Sequence, residues 1–158
     1  MMRDERIRRL PVAMSALVAL TLGILPLPNA LAPFRPDFLV LVVLYWSIES
    51  PRAGGLTLAF FAGLALDVIQ GVVLGQHALA LTLMAAWATN LRLRIRVFSP
   101  VSQSLTIFAF LTGYQFILFW IDGATGNPVT SFGRWLAPVI GALIWPFMVR
   151  ALSRLHEH

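Results

Sequence analysis

Six apolar runs, separated by short segments rich in arginine, proline and glycine, take up nearly all of this 158-residue chain. Crossing a hydrocarbon core of about 30 Å takes about 20 helical residues. Runs of that length and polarity constrain the chain to apolar helices. The expected helices cover residues 10–28, 36–50, 53–71, 77–92, 101–121 and 134–152. The second and fourth are short, about 15 residues each or roughly 23 Å at 1.5 Å per residue. They are therefore expected to stop short of one interface or to be partly re-entrant.

Composition agrees. The chain is 58% apolar and 12% charged, with a mean hydropathy of +0.79, whereas a soluble domain is nearer half apolar and a quarter charged. The expected fold class is an all-α polytopic membrane protein, a single domain over residues 1–158 with six transmembrane helices in a compact bundle. The net charge of +5 comes from twelve arginines and no lysine. These fall between the apolar runs, a placement that membrane topology explains better than a nucleic-acid-binding face. There is no cysteine, which excludes disulfides and thiolate metal sites.

The arginines set the expected orientation. With six spans and the N-terminus inside, the cytoplasmic side receives Arg3, Arg6, Arg8, Arg9, Arg52, Arg92, Arg94, Arg96, Arg150 and Arg154, and the outer side only Arg35 and Arg134. Ten against two is a strong positive-inside bias. Both termini are expected in the cytoplasm. The start of the chain resembles a secretory signal, with a basic segment, an apolar run and an Ala-Leu-Ala ending at Ala32. The apolar run continues through Leu25 and Leu27 and Pro33 would follow the cut, so an uncleaved anchor is expected. The segment 91–100, LRLRIRVFSP, in which arginine alternates with apolar residues, reads as an inner loop held at anionic headgroups. Tyr45 and Trp46 read as an inner-interface belt, and Trp120 as an outer one.

Polar residues inside the spans carry whatever specificity the chain has. Gly55, Ala59, Gly63, Asp67, Gly71 and Gly75 recur every four residues and form one ridge along the third helix. Small side chains on such a ridge let a second helix approach closely, and the ridge drifts about 40° per step, so that helix should cross obliquely. Asp67 is then expected to face a packed helix rather than lipid. An ionised carboxylate at mid-bilayer costs at least about 2.5–3.5 kcal/mol on insertion scales. Three readings follow: a hydrogen-bonded tether to a neighbouring helix, a half-hydrated contact with a partner protein, or a proton relay with His77 or Gln70. Asp37 stands near the start of the second helix, and Asp122 near the end of the fifth. Tyr114 and Gln115 read as interhelical hydrogen-bonding residues.

No constellation for catalysis is present: there is no HExxH, no pair of aspartates in one span, no GxSxG elbow and no phosphate-binding glycine loop. No enzymatic activity, cofactor or metal is expected.

Three stretches in order, RPDFLVLVVLYWSI, GLALDVIQGVVLGQHAL and YQFILFWIDG, resemble the rod shape-determining protein MreD family. Length and minimal loops agree with that resemblance over nearly the whole chain. The resemblance implies a non-enzymatic subunit of the bacterial elongation machinery, supporting side-wall peptidoglycan synthesis. It implies association with MreC and, through it, with MreB, RodA and a class B penicillin-binding transpeptidase. It also implies a fold similar to the six-helix substrate-binding subunits of energy-coupling-factor vitamin transporters. The matching positions include Asp37, Gly63, Asp67, Gly71, Gly75, His77 and Asp122, expected to serve helix packing or docking of MreC; no catalytic residue is implied. A membrane subunit that binds a vitamin or other small molecule is the alternative function. Beyond proteins, the expected partners are membrane lipids and no nucleic acid.

Overall fold

The computed structural model describes residues 2–24, 38–49, 55–71, 74–126 and 135–157. Among them the regular elements are six helices: α1 (Met2–Ile24), α2 (Phe38–Glu49), α3 (Leu56–Gln70), α4 (Gln76–Arg96), α5 (Pro100–Ala124) and α6 (Leu136–Glu157). Asp37, Arg35, Arg52 and Arg134 lie outside the described residues.

α2 forms the centre. Its apolar residues are spread over every side, and ten of its twelve residues, Leu39 to Ile48, are buried. It touches α1, α3, α4 and α6, while the outer helices follow one another in contact in the order α3, α4, α5, α6, α1. A helix that is hydrophobic all round has no face to offer water or lipid selectively, and the interior of a bundle is where it belongs. Tyr45 and Trp46 are therefore core residues and not an interface belt. They pack edge to face at 5.1 Å, and the Trp46 indole N–H donates to Ser15 Oγ of α1 at 2.8 Å. Trp120, by contrast, is 65% exposed.

Helix ends follow local chemistry. Pro100 occupies the first turn of α5, where its missing N–H costs nothing, and the N-cap Ser99 accepts from Ser102 N. α3 stops at Gly71, whose φ of 66° is left-handed and whose N–H returns to Asp67 O. Gly75, with φ of 100°, opens α4. The small-residue ridge thus ends at Asp67 as a packing surface. Gly71 and Gly75 are turn residues around which a Cβ would meet nothing within 4 Å.

α4 is longer than expected, 21 residues, and takes in the arginine-rich segment read as a loop. Leucine and arginine are good helix formers, and cations in a last turn complement the helix dipole. Ile95 in that turn is buried, which anchors it to the core.

Two segments, Pro100–Ala124 and Leu136–Arg154, are long and apolar enough to cross a membrane; Arg9–Gly23, α2 and α3 are shorter apolar helices. At 1.5 Å per residue α2 rises only about 18 Å.

Candidate functional site

The polar residues of the bundle gather where α3 hands over to α4. Of α3, the residues buried are Ala59, Gly63 and Asp67, one ridge at four-residue spacing. α4 lies in it so closely that a Cβ on Gly63 would stand 2.3 Å from Ala78 Cα and 2.5 Å from Ala78 N. Only glycine permits that crossing.

The approach delivers the start of α4 to Asp67. Asp67 is 1% exposed. Its Oδ2 accepts from Gly75 N at 2.7 Å. Oδ1 accepts from His77 N at 2.8 Å and meets His77 Nδ1 at 2.8 Å. The first amides of a helix have no partner within it, and Gly75 has no side chain to cap with. Asp67 supplies that cap from another helix, with a negative group at the positive end of the α4 dipole. A carboxylate acceptor facing Nδ1 places the imidazole proton on that nitrogen.

A second bond continues the lock to α5. Gln76 Nε2 donates to Asp122 Oδ1 at 2.6 Å, and both residues are buried. The His77 ring lies 6.3 Å from that of Tyr114, centroid to centroid. Tyr114 and Gln115 are buried, whereas Gln70 is exposed. Asp67, Gln76, His77 and Asp122 thus tie three helices at one end of the bundle. Gly63 sits below them at the crossing, and Gly71 and Gly75 shape the turn. Among the described residues no group of three or more His, Cys, Asp or Glu could hold a metal.

Sequence reasoning did not anticipate the Gln76–Asp122 bond, which spans 46 positions, or the Ser15–Trp46 bond, which spans 31. No local signal marks either. Beside the lock, Phe60, Leu74, Leu79, Thr82 and Ile121 line a groove of about 570 Å³.

The opposite end is basic. Arg92, Arg94 and Arg96 close α4, with Glu49 Oε2 3.8 Å from Arg96 Nη2. The Phe119–Trp135 ring contact, 6.2 Å, joins the end of α5 to the start of α6, so Arg150 and Arg154 near the far end of α6 lie toward the basic pole.

Among the described residues, a helical bundle with a buried central helix, apolar outer faces, a buried polar cluster at one end and arginines at the other has the character of a membrane protein. The chain belongs to the rod shape-determining protein MreD family, whose model matches residues 5–155. It is similar to the rod shape-determining protein MreD of Haemophilus influenzae, 29% identical over 144 residues that cover 89% of this chain and 86% of that one. No solved structure matches. The family is one of shape-determining structural proteins rather than known enzymes, and it places the chain in rod-shape determination.

Proposed function

We propose that the chain is a scaffold of the bacterial elongation machinery, holding MreC and, through it, MreB, RodA and a class B penicillin-binding transpeptidase at the inner membrane. Family membership supports the setting. The observation that carries the scaffold reading is Asp67: both carboxylate oxygens are engaged by the first turn of α4, which favours a tether over a group free to move protons. In this reading the locked end of the bundle, with His77 and Asp122, shapes the surface that MreC meets; Asp37, outside the described residues, is proposed to share in that docking. The ridge through Gly63 is filled by α4 and supports that surface from within.

The six helices are taken to cross the bilayer six times, both termini cytoplasmic, in one domain folded like the energy-coupling-factor subunits. The basic pole made by Arg92, Arg94 and Arg96 supports that orientation. The chain has no native cysteine, so single cysteines at Ser99 and Thr125 report topology cleanly. An impermeant thiol reagent added to intact cells should label only the Thr125 position, and labelling of both or of Ser99 alone would overturn the model.

The functional test is recovery of tagged full-length protein from gently solubilised membranes. MreC, with RodA or the transpeptidase, is the expected company. An ATPase module in their place would favour the small-molecule-binding alternative, for which the groove beside α4 is the motivating feature. That groove is lined mainly by apolar side chains, whereas vitamin recognition needs several convergent polar groups. A thermal shift with vitamins but none with MreC would decide for it.

A further inference from the structure

We propose that the turn from α4 into α5 is a binding site for the headgroup of an anionic phospholipid. This rests on the chain being a membrane protein, and not on the identity of its protein partners.

Ile95 is buried at 1% exposure and fixes which way the last turn of α4 faces. At 100° per residue, Leu93 and Val97 fall about 160° from it, pointing straight away from the bundle, while Arg94 and Arg96 fall about 100° to either side. The exposures agree: Leu93 is 69% and Val97 81% exposed, and both arginines are exposed. An apolar rib therefore projects outward between two guanidinium groups. Phe98 and Val101 extend the rib into the first turn of α5, also exposed. Such a rib is unfavourable in water and favourable at the edge of hydrocarbon. Arginine stems lie along apolar surface while their heads reach the polar layer, and the guanidinium fork matches a phosphate oxygen pair.

Among the described residues the charge is only partly neutralised from within. Arg96 pairs with Glu49 at 3.8 Å, and the Arg96 side chain is 49% exposed. An exposed pair of that kind contributes little and leaves the guanidinium able to take a second acceptor. Projecting apolar side chains flanked by cations fit an amphiphile of negative charge, and the bilayer surface supplies one in its anionic phospholipids.

The test uses the full chain in nanodiscs of phosphatidylcholine alone or mixed with phosphatidylglycerol, with retained lipid counted by native mass spectrometry. The wild type should retain phosphatidylglycerol in preference to phosphatidylcholine. In R94Q/R96Q the preference should fall about fivefold for each arginine removed, the equivalent of about 1 kcal/mol each. Unchanged melting of that variant in phosphatidylcholine alone establishes that it folds. R150Q/R154Q removes two charges from α6 and should leave most of the preference intact. An equal loss in both variants would mean diffuse attraction without a site, and the proposal would fall. It would fall equally if the wild type showed no preference, or if a polyglutamate peptide bound the turn where phosphatidylglycerol did not.

Discussion

Asp67 has three donors on two oxygens, and this decides what its substitution does. Asparagine keeps one acceptor but turns an amide N–H₂ toward a backbone donor, so Asp67→Asn should lose about 1–3 kcal/mol, the penalty of an unmade buried bond. Leucine leaves Gly75 N, His77 N and the imidazole unpaired together, and Asp67→Leu should cost about 3 kcal/mol or more. Thermal unfolding of the purified variants in detergent checks the order wild type, Asn, Leu. An Asp67→Leu variant that melts like the wild type yet no longer supports rod shape would reverse the reading, since the carboxylate would then matter for chemistry and not for the fold. His77 was visible in the sequence only as a lone histidine ten positions away. The turn that folds it back onto Asp67 needs the left-handed Gly71 and Gly75, and conformation at a glycine is not written in its neighbours.

At the scale of elements, two glycines of one apparent motif behave differently. Gly63→Ala drives a methyl into the backbone of α4, where Ala78 cannot move aside without parting the helices. The expected cost is about 1–3 kcal/mol, as for other overpacked contacts. Gly71→Ala meets open space but must hold φ near 66°, a strain of about 1–2 kcal/mol. Asparagine tolerates that conformation, so Gly71→Asn should be milder than Gly71→Ala, whereas Gly63→Asn should be worse than Gly63→Ala. Equal responses at the two positions would contradict the structure. The ridge from Ala59 to Asp67 was legible because spacing and residue size state it directly. Its continuation through Gly71 and Gly75 was not, because a helix and the turn that ends it use the same small residue. The arginine-rich end of α4 misled for a related reason: alternation with apolar residues resembles a loop at an interface, yet each residue type there also favours helix. The belt expected at Tyr45 and Trp46 failed because polar residues follow them closely. α2 is apolar on all sides, so its pattern could not tell bundle centre from lipid.

For the whole molecule, membrane character and the six helices of the described residues were readable from the apolar runs, and the family from the order of three stretches. What surrounds what was not: that α2 packs against α1, α3, α4 and α6 at once depends on side-chain volumes meeting across distant parts of the chain. Gly141 is one such place, where a Cβ would stand 2.6 Å from Leu111 Cδ1 and 3.7 Å from Leu41 Cδ2.

The cap that Asp67 places on α4 also has a consequence for how the chain is born. α3 leaves the ribosome first, carrying an acid whose partners lie eight and ten residues behind it. At about 5–20 residues per second that delay lasts roughly two seconds or less. On the six-crossing reading, α3 alone enters a bilayer against a penalty of about 2.5–3.5 kcal/mol, which α4 relieves on arrival. We predict that a nascent segment ending after α3 integrates poorly unless Asp67 is replaced by leucine, and that adding α4 removes most of the difference. Glycosylation-tagged integration assays would show it, and good integration of unaltered α3 by itself would refute it. The two helices would then enter as one hairpin, closed by a carboxylate before α5 and α6 have been made.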